Sequence, residues 1–242
     1  MDTSLYVTLS HRVAVNRELE IVANNLANMN TTAFKAERMM FDEALRKAGA
    51  SDEISFVIDR ASYTDYQSGP VIRTQNQFDI AVNGEGWLSV QTPDGVQYTR
   101  DGRLVVSPNG ELTALDGSPV LGEGGAPIAI PIEEIGEVAI GQDGSITAGE
   151  IQIGRIEVFQ FENEQDLVRQ ENARYAAPGE NAAPAEDASI IQGAIEGSNV
   201  NPIFEVTRLI ELSRSYENAS RAASDMHDQK KDAINRLGDN RS

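Results

Sequence analysis

The 242-residue sequence contains no cysteine and only two histidines. Without cysteine there is no disulfide, no thiolate nucleophile and no cysteine-ligated zinc. His11 and His227 lie on predicted helices, without a carboxylate or a second histidine at a metal-binding spacing, and each is therefore expected to be a packed or solvated side chain. No nucleophile elbow, zinc-protease motif or phosphate-binding loop is present. The sequence predicts no catalytic residue, no metal and no cofactor, and so a protein that is not an enzyme.

Long apolar runs and an excess of basic residues are also missing. The longest apolar run, Ile128 to Ile132, is interrupted by Pro131 and falls far short of the roughly 18 residues that a membrane span needs. Asp2 stands where a signal peptide would carry positive charge, so no cleaved secretion signal is expected. The 38 acidic residues against 20 basic ones give a net charge of -18. This charge argues against a nucleic-acid partner and against anionic membrane surfaces.

The acidic excess is confined to the middle of the chain. Residues 1–50 carry six acidic and six basic side chains, and residues 199–242 carry seven of each, so the whole excess falls in residues 51–198. Neutral ends let identical chains pack together there without net repulsion, whereas an acidic middle keeps a subunit soluble.

Both ends of the sequence have the spacing of long amphipathic helices. A heptad-like seam without Gly or Pro predicts a first helix from about Ser4 to Asn28. Asn201 followed by Pro202 is typical of a helix start, with Glu205 near the positive end of the helix dipole, and Gly238 is the expected end. The two seams consist of Leu5, Leu9, Arg12, Asn16, Leu19, Ala23 and Leu26 in the first helix, and of Leu209, Leu212, Tyr216, Ala219, Ala223, Met226, Lys230, Ala233 and Leu237 in the second.

A lone amphipathic helix cannot bury its apolar face and is marginal in water. The two helices can pair with each other within one chain, or their apolar faces can also meet copies on neighbouring chains. Small residues on several faces of the second helix, such as Ala219, Ala222 and Ala223, favour close packing of several helices.

The middle of the sequence predicts antiparallel β structure, as a sheet or small barrel built from hairpins. Short alternating runs, including Leu88–Val90 and Leu104–Val106, lie between recurring turn pairs. These pairs are Asn83-Gly84, Asp94-Gly95, Asp101-Gly102, Asn109-Gly110, Asp116-Gly117 and Asp143-Gly144. Hairpin turns explain them better than calcium sites, which need several ligands close together. Acidic pairs such as Glu133-Glu134 indicate a solvated surface rather than an acid and base pair, since neighbouring strand residues face opposite sides.

We therefore predict an α+β fold in which the N- and C-terminal helices form a coiled coil and the middle of the chain forms a central antiparallel β-rich domain. The predicted organisation is a helical core from 1–35 and 199–242, a partly extended connecting segment at 36–75, and a β-rich domain at 76–190. An Ala-, Pro- and acid-rich linker at 173–198 overlaps the end of that domain and returns to the C-terminal helix.

Three stretches of the sequence resemble the flagellar rod and hook axial family. They are VANNLANMNTTAFK (22–35), FDIAVNGEGWLSVQTPDGVQYTRDGRL (78–104), continued by LTALDGSPVLG (112–122), and EGSNVNPIFEVTRLIELSRSYENASRA (196–222). They occur in the family's order and span nearly the whole chain. Two positions depart from the family pattern. Ala33 replaces a usual Gly, so that a left-handed turn there is either unnecessary or strained, and Phe204 places an exposed or partner-facing aromatic at the helix start.

The resemblance implies a structural subunit of the flagellar basal-body rod, in the periplasmic space, which transmits torque and is exported by the flagellar type III apparatus without a cleaved signal. The expected partners are copies of itself, other rod subunits and the export apparatus. Length and the lack of a large insertion are most similar to proximal-rod members; a distal-rod or hook subunit is the alternative. A competing interpretation is an acidic secreted β-domain enzyme or carbohydrate binder with oligomerising helices.

The expected assembly residues follow from the seams and from the junction after the first helix. In the seams they are Leu5, Leu9, Leu19, Leu26, Leu209, Leu212, Tyr216, Met226 and Leu237. At the junction they are Asn24, Asn25, Asn28 and Phe34, since Asn side chains can bond backbone groups freed at a helix end.

Overall fold

A computed structural model describes residues 3–47, 53–179 and 182–239 and divides the chain into two compact units. The helical unit comprises Met1–Asn28, Glu37–Asp65 and Asn201–Ser242. The β unit comprises Met29–Ala36 and Tyr66–Val200. The chain therefore passes from one unit to the other four times.

Two long helices lie in the helical unit, α1 (Thr3–Ala27) and α2 (Pro202–Asp239). The start of α2 is capped as the sequence predicts. Asn201 Oδ1 accepts hydrogen bonds from the backbone N–H groups of Ile203 (3.1 Å) and Phe204 (3.2 Å), which satisfies two of the donors that a helix start leaves unpaired. Neither described helix contains an apolar stretch long enough to cross a membrane.

The helical unit also contains a long antiparallel hairpin, β1 (Glu37–Lys47) paired with β2 (Glu53–Thr64). Its register shifts between Met40 and Phe41, where β2 has one extra residue. Such a bulge adds local twist to a ribbon. The hairpin occupies most of the segment predicted to be connecting and partly extended.

The β unit is built from short strands, and every pairing in it is antiparallel. Its central sheet has six strands in the order β13-β14-β6-β5-β12-β15, a second has the order β11-β10-β9, and three pairs are β16-β4, β17-β3 and β7-β8. The strands are β3 (Val71–Arg73), β4 (Ile80–Asn83), β5 (Trp87–Thr92), β6 (Gly95–Thr99), β7 (Leu104–Val106), β8 (Leu112–Ala114), β9 (Val138–Ile140), β10 (Ser145–Ala148), β11 (Ile151–Arg155), β12 (Val158–Gln160), β13 (Val168–Arg169), β14 (Arg174–Ala176), β15 (Ala183–Pro184), β16 (Ser189–Gln192) and β17 (Ala194–Glu196).

Four of the six turn pairs close a hairpin or tight antiparallel turn, as expected: Asp94-Gly95, Asn109-Gly110, Asp116-Gly117 and Asp143-Gly144. The other two predictions are wrong. Asn83-Gly84 joins β4 to β5, which do not pair with each other. At Gly102 the glycine serves a close approach, since a Cβ there would lie 1.8 Å from the carbonyl oxygen of Ile80.

The predicted linker at 173–198 also needs correction, because β14 to β17 lie within it. β14 joins the central sheet beside β6, β16 pairs with β4 and β17 pairs with β3. The end of the β unit is thus bound to its beginning.

The main core of the β unit consists of aliphatic side chains from many strands, among them Ile80, Leu88, Leu112 and Ile146. A second, aromatic cluster contains Trp87, Phe161, Leu167 and Tyr175, with Tyr66 and Tyr98 packed against it. The rings of Trp87 and Tyr175 meet edge to face, with centroids 5.0 Å apart, an arrangement favoured by aromatic quadrupoles.

Candidate functional site

The two helices pack on each other through an apolar cluster. Val15 and Val22 of α1 and Leu212 of α2 are buried, and Leu19, Leu209 and Tyr216 pack around them at its edge. At its margin Arg208 binds Glu18 Oε1, with Nη2 at 2.6 Å. These contacts lie within the helical unit and hold its two helices side by side.

The packed face of α2 is the one that the sequence predicts, whereas that of α1 agrees with the prediction only in part, at Leu19. Ala14, Val15, Ile21 and Val22 are buried, whereas Leu9 is 49% exposed. The packed face lies about one residue position round the helix from the predicted seam, given ~100° per residue. The predicted seam was drawn through the leucines of α1, but beside Leu19 it is Val15 and Val22 that make the contact. Leu26 is half-buried, and the side chains of Leu5, Met226 and Leu237 lie outside the described ones.

Both helices expose apolar residues on the side away from this packing. In α2 the strip consists of Ile203, which is 81% exposed, with Val206 and Ile210. At ~100° per residue, these positions lie about half a turn from Leu212. In α1 Leu9 and Val13 are exposed together. We call these the α2 strip and the α1 strip.

The α2 strip was not predicted from the sequence. Its spacing of three and four residues was visible in the sequence, but the stronger leucine seam of the same helix explained the helix without it. An exposed apolar row of this kind is typical of an interaction surface.

Phe204 and Glu205 lie beside the α2 strip at the start of the helix. Phe204 is about half exposed, and the guanidinium carbon of Arg38 lies 5.9 Å from its ring centroid. Glu205 is buried, and its burial raises the pKa of its carboxyl group, although Arg38 and a hydrogen bond from Asn25 oppose the shift. Besides complementing the helix dipole, the carboxyl group of Glu205 therefore interacts with Arg38 and Asn25.

Asn25 ties the end of α1 to the start of β1. Its Nδ2 donates to Glu37 O at 2.8 Å, and its Oδ1 accepts from Glu37 N at 2.9 Å. Asn28 donates through its side chain to Asn24 O at 2.9 Å. These bonds are of the kind expected for Asn at a helix end.

Phe34 lies elsewhere, inside the β unit. It packs with Ala36 and Val200, and the guanidinium of Arg169 lies over its ring, 4.6 Å from the centroid. Ala33 just before it has a left-handed backbone, with φ of 58°. Of the two alternatives predicted for Ala33, the structure therefore shows the strained left-handed turn.

Three charged side chains, those of Lys35, Arg100 and Glu196, are buried together in the same unit. Lys35 Nζ lies 2.8 Å from Glu196 Oε1, and Arg100 Nη1 lies 2.9 Å from Glu196 Oε2. Burial lowers the pKa of the Lys35 ammonium, and Glu196 partly offsets this. None of these three residues was predicted to have a role, although each lies in one of the three stretches that resemble the family.

The described residues offer no group of three or more side chains that could hold a metal ion. The carboxylate of Asp143 bonds within its own turn, and that of Asp116 is paired with Arg174. Asp143 Oδ1 accepts from Ser145 Oγ at 2.6 Å and from Ser145 N at 3.2 Å, which lowers the pKa of Asp143. Acidic residues such as Glu123, Glu157 and Glu186 line an open cleft, in keeping with a solvated acidic surface. The candidate functional site is therefore made of the packed and exposed apolar faces of the two helices.

Comparison with known proteins gives three family matches. The model described as "Flagella basal body rod protein" matches residues 14–35, "Flagellar hook protein FlgE/F/G D1 domain" matches 81–148, and "Flagellar basal body rod FlgEFG protein C-terminal" matches 191–236. They cover the same parts of the chain as the quoted stretches.

Individual relatives match along their whole length. The chain is 38% identical over 243 residues to the flagellar basal-body rod protein FlgF of Caulobacter vibrioides, covering 98% of this chain and 99% of the relative. It is 36% identical to FlgF of Mesorhizobium japonicum, with 98% and 99% covered. With FlgF of Rhizobium meliloti it shares 34% identity, and both chains are covered fully, at 100%.

Proposed function

The chain belongs to the family of flagellar basal-body rod proteins, and we propose that its place is the proximal rod, where it helps transmit torque. It is a structural subunit of the bacterial flagellar basal body. The relatives named FlgF support the proximal position over the distal rod or hook, since they match this chain along 98–100% of its length without a large insertion. A family of structural proteins explains why the site offers surface rather than reactive groups.

The observation that carries this function is the α2 strip, which faces away from the packing within one chain. Because α1 already covers the opposite face, a strip left exposed on α2 is suited to a second subunit. The α1 strip is a different surface of the same unit, and pairing of two different surfaces is heterologous. Heterologous contacts that do not close into a ring generate an open helical stack, which is the form that a shaft requires.

We assign the expected assembly residues to two roles in this stack. Leu19, Leu209, Leu212 and Tyr216 hold the two helices of one chain together, with Leu26 beside them. Leu9 faces a neighbouring subunit. Leu5, Met226 and Leu237 extend the pairing as a coiled coil, while Asn24, Asn25, Asn28 and Phe34 position the junction.

The partners that follow are copies of this chain, other rod subunits and, before assembly, the flagellar type III export apparatus. The subunit passes through that apparatus without a cleaved signal and is assembled in the periplasmic space. The neutral ends favour close packing of helices, while most of the acidic excess of the middle lies on the β unit and faces solvent.

The substitution Ile203→Asp tests this function. Ile203 is 81% exposed, so a charge there should leave the folded chain unchanged. It would, however, place an uncompensated carboxylate in the subunit interface, which costs several kcal/mol. We expect cells that express only this variant to lose motility and their isolated basal bodies to lack the subunit.

Asn218→Asp is the matched control, since it adds the same charge at an exposed position of α2 away from the strip. It should assemble normally. The proposal would be falsified if Ile203→Asp, present at normal amounts and folded, entered the rod as well as Asn218→Asp.

A further inference from the structure

The buried charges of Lys35, Arg100 and Glu196 call for a physical explanation, because three charges removed from water are expensive to keep. Their side chains are 0%, 3% and 1% exposed. An apolar cluster of similar volume would stabilise a core at least as well. Stability alone therefore does not account for them, whereas directional bonding does.

Lys35 and Glu196 use their bonds to bind backbone as well as each other. Lys35 Nζ donates to Tyr66 O at 3.2 Å and to Gln67 O at 2.8 Å. Glu196 Oε1 also accepts from Gly69 N at 3.0 Å. The two charges thus join three chain segments, 33–36, 66–69 and 194–199, the first and last of which are separated by 161 residues of sequence at this contact.

Arg100 anchors this junction to the central sheet. Its Nη1 donates to Ser68 Oγ at 3.1 Å and its Nη2 to Gly84 O at 2.6 Å. Its guanidinium carbon lies 5.7 Å from the ring centroid of Trp87. Because Arg100 directly follows β6, the cluster cannot shift without moving the sheet.

Backbone bonds tie the same segments together around the charges. Ala33 N donates to Glu196 O at 2.9 Å, and Ala36 N donates to Asn199 Oδ1 at 2.7 Å. The chains also pass very closely, since a Cβ on Gly69 would lie 2.1 Å from the carbonyl oxygen of Gly197. The three segments are held side by side at fixed spacing.

These segments are the ones through which the chain leaves the β unit. That unit has four boundaries, and the three that fall after Ala36, before Tyr66 and after Val200 adjoin these segments, whereas the fourth falls before Met29. Each of the three is within one to four residues of an atom bonded in the cluster. Force that reaches the β unit along the chain arrives through these segments at three of its four connections.

We propose that Lys35, Arg100 and Glu196 form a positioning clamp, which fixes three of the four chain connections of the β unit and keeps them from yielding when the rod is twisted. Charge-assisted hydrogen bonds are short and directional, so they hold the spacing of the segments where apolar contacts would let them slide. The mechanical part rests on the proposed function, whereas the clamp itself can be measured in the isolated chain.

The first experiment measures amide hydrogen exchange in the full chain carrying Lys35→Met. The loss of a charged hydrogen-bond donor should speed the exchange of the Ala33, Ala36 and Asn199 amides by about tenfold or more. Amides of β5 and β6 should keep their rates. Arg174→Met is the matched control, since it removes a cation paired with Asp116 in the same unit without touching the three segments.

A second variant covers the case in which Lys35→Met fails to fold. The triple replacement Lys35→Met, Arg100→Met and Glu196→Leu leaves no buried charge and is expected to fold. It should show the same local rise in exchange at Ala33, Ala36 and Asn199. Unchanged exchange at these amides, or an equal rise throughout β5 and β6, would overturn the clamp.

The second experiment tests the mechanical role in cells that assemble the variant. Basal bodies isolated from Lys35→Met cells should contain the subunit in normal amounts, unlike those from Ile203→Asp cells. Swimming should then slow more steeply with medium viscosity than in wild-type or Arg174→Met cells. Equal slowing in all three strains, with exchange raised in the isolated chain, would overturn the mechanical role while leaving the rod assignment intact.

Discussion

Ala33 is held in a backbone conformation that favours glycine. Its φ is 58°, it is 1% exposed, and its N–H donates to Glu196 O. A left-handed alanine costs about 1–2 kcal/mol. The surrounding hydrogen bonds keep it there, because the turn carries the chain from the end of α1 into the buried segment that includes Phe34 and Lys35.

Two substitutions of Ala33 separate backbone strain from packing. Ala33→Val should lower the free energy of unfolding of the β unit by about 2–3 kcal/mol, because a β-branched residue tolerates a positive φ poorly. Ala33→Gly should change it by less than about 1 kcal/mol, since relief of strain is offset by a lost buried methyl group and a more flexible unfolded chain.

Urea unfolding followed by tryptophan fluorescence measures this, because Trp87 is the only tryptophan of the chain and is buried in the β unit. If valine were tolerated as well as glycine, backbone conformation at residue 33 would not limit stability.

At the scale of elements, local signals in the sequence predicted local structure well. The bounds of α1 and the Asn201 cap of α2 follow from residues within a turn of each other, as do the four turn pairs that close as expected. The failures are non-local. Strands β14, β16 and β17 were missed because their partners β6, β4 and β3 lie about 75–120 residues away, and no periodicity within a short segment reports such a partner.

The same limit applied to the site. The resemblance placed the chain in its family from three stretches of sequence, but it did not show that Lys35, Arg100 and Glu196 meet. The α1 seam matches the packed face only in part, because several sides of that helix carry apolar residues and the position of its neighbours decides which side is buried.

The helix pair provides a prediction at this scale. Leu212 is 4% exposed and contacts the Val15 and Val22 side of α1, so Leu212→Ala should cost about 2–4 kcal/mol. A pair with so small an apolar cluster has little stability to lose. We therefore expect the isolated variant to lose helical ellipticity at 222 nm while its Trp87 fluorescence stays native.

Ile210→Ala is the control, because Ile210 lies on the exposed strip of the same helix. It should change the ellipticity of the isolated chain little. Equal loss in both variants would show that the contact with α1 does not stabilise α2.

On the scale of the whole molecule, charge and packing divide the chain in similar ways, although residues 51–65 of the helical unit belong to the acidic middle. The helical ends are neutral and expose apolar strips, whereas the middle carries the entire excess of -18 and contains the larger core. Among the described residues, the apolar cluster between the helices is smaller than the core of the β unit, and before assembly no neighbouring subunit covers the strips. The β unit does not depend on neighbouring subunits, since its own strands enclose its core.

Limited trypsin digestion of the dilute monomer should reveal this difference. We expect early cleavage at Arg214 and Arg221 of α2, which opens easily in the absence of neighbours, and a resistant fragment close to the main segment of the β unit, Tyr66–Val200. Mass spectrometry of the fragments identifies the order of cleavage.

Leu212→Ala should speed cleavage of α2, whereas Ile203→Asp should leave it unchanged, because Ile203 contacts little within its own chain. Cleavage at Arg73 or Arg155 as early as at Arg214 would show that the β unit is not independently stable, and a β unit that opens that readily could not hold its buried chain connections under torque.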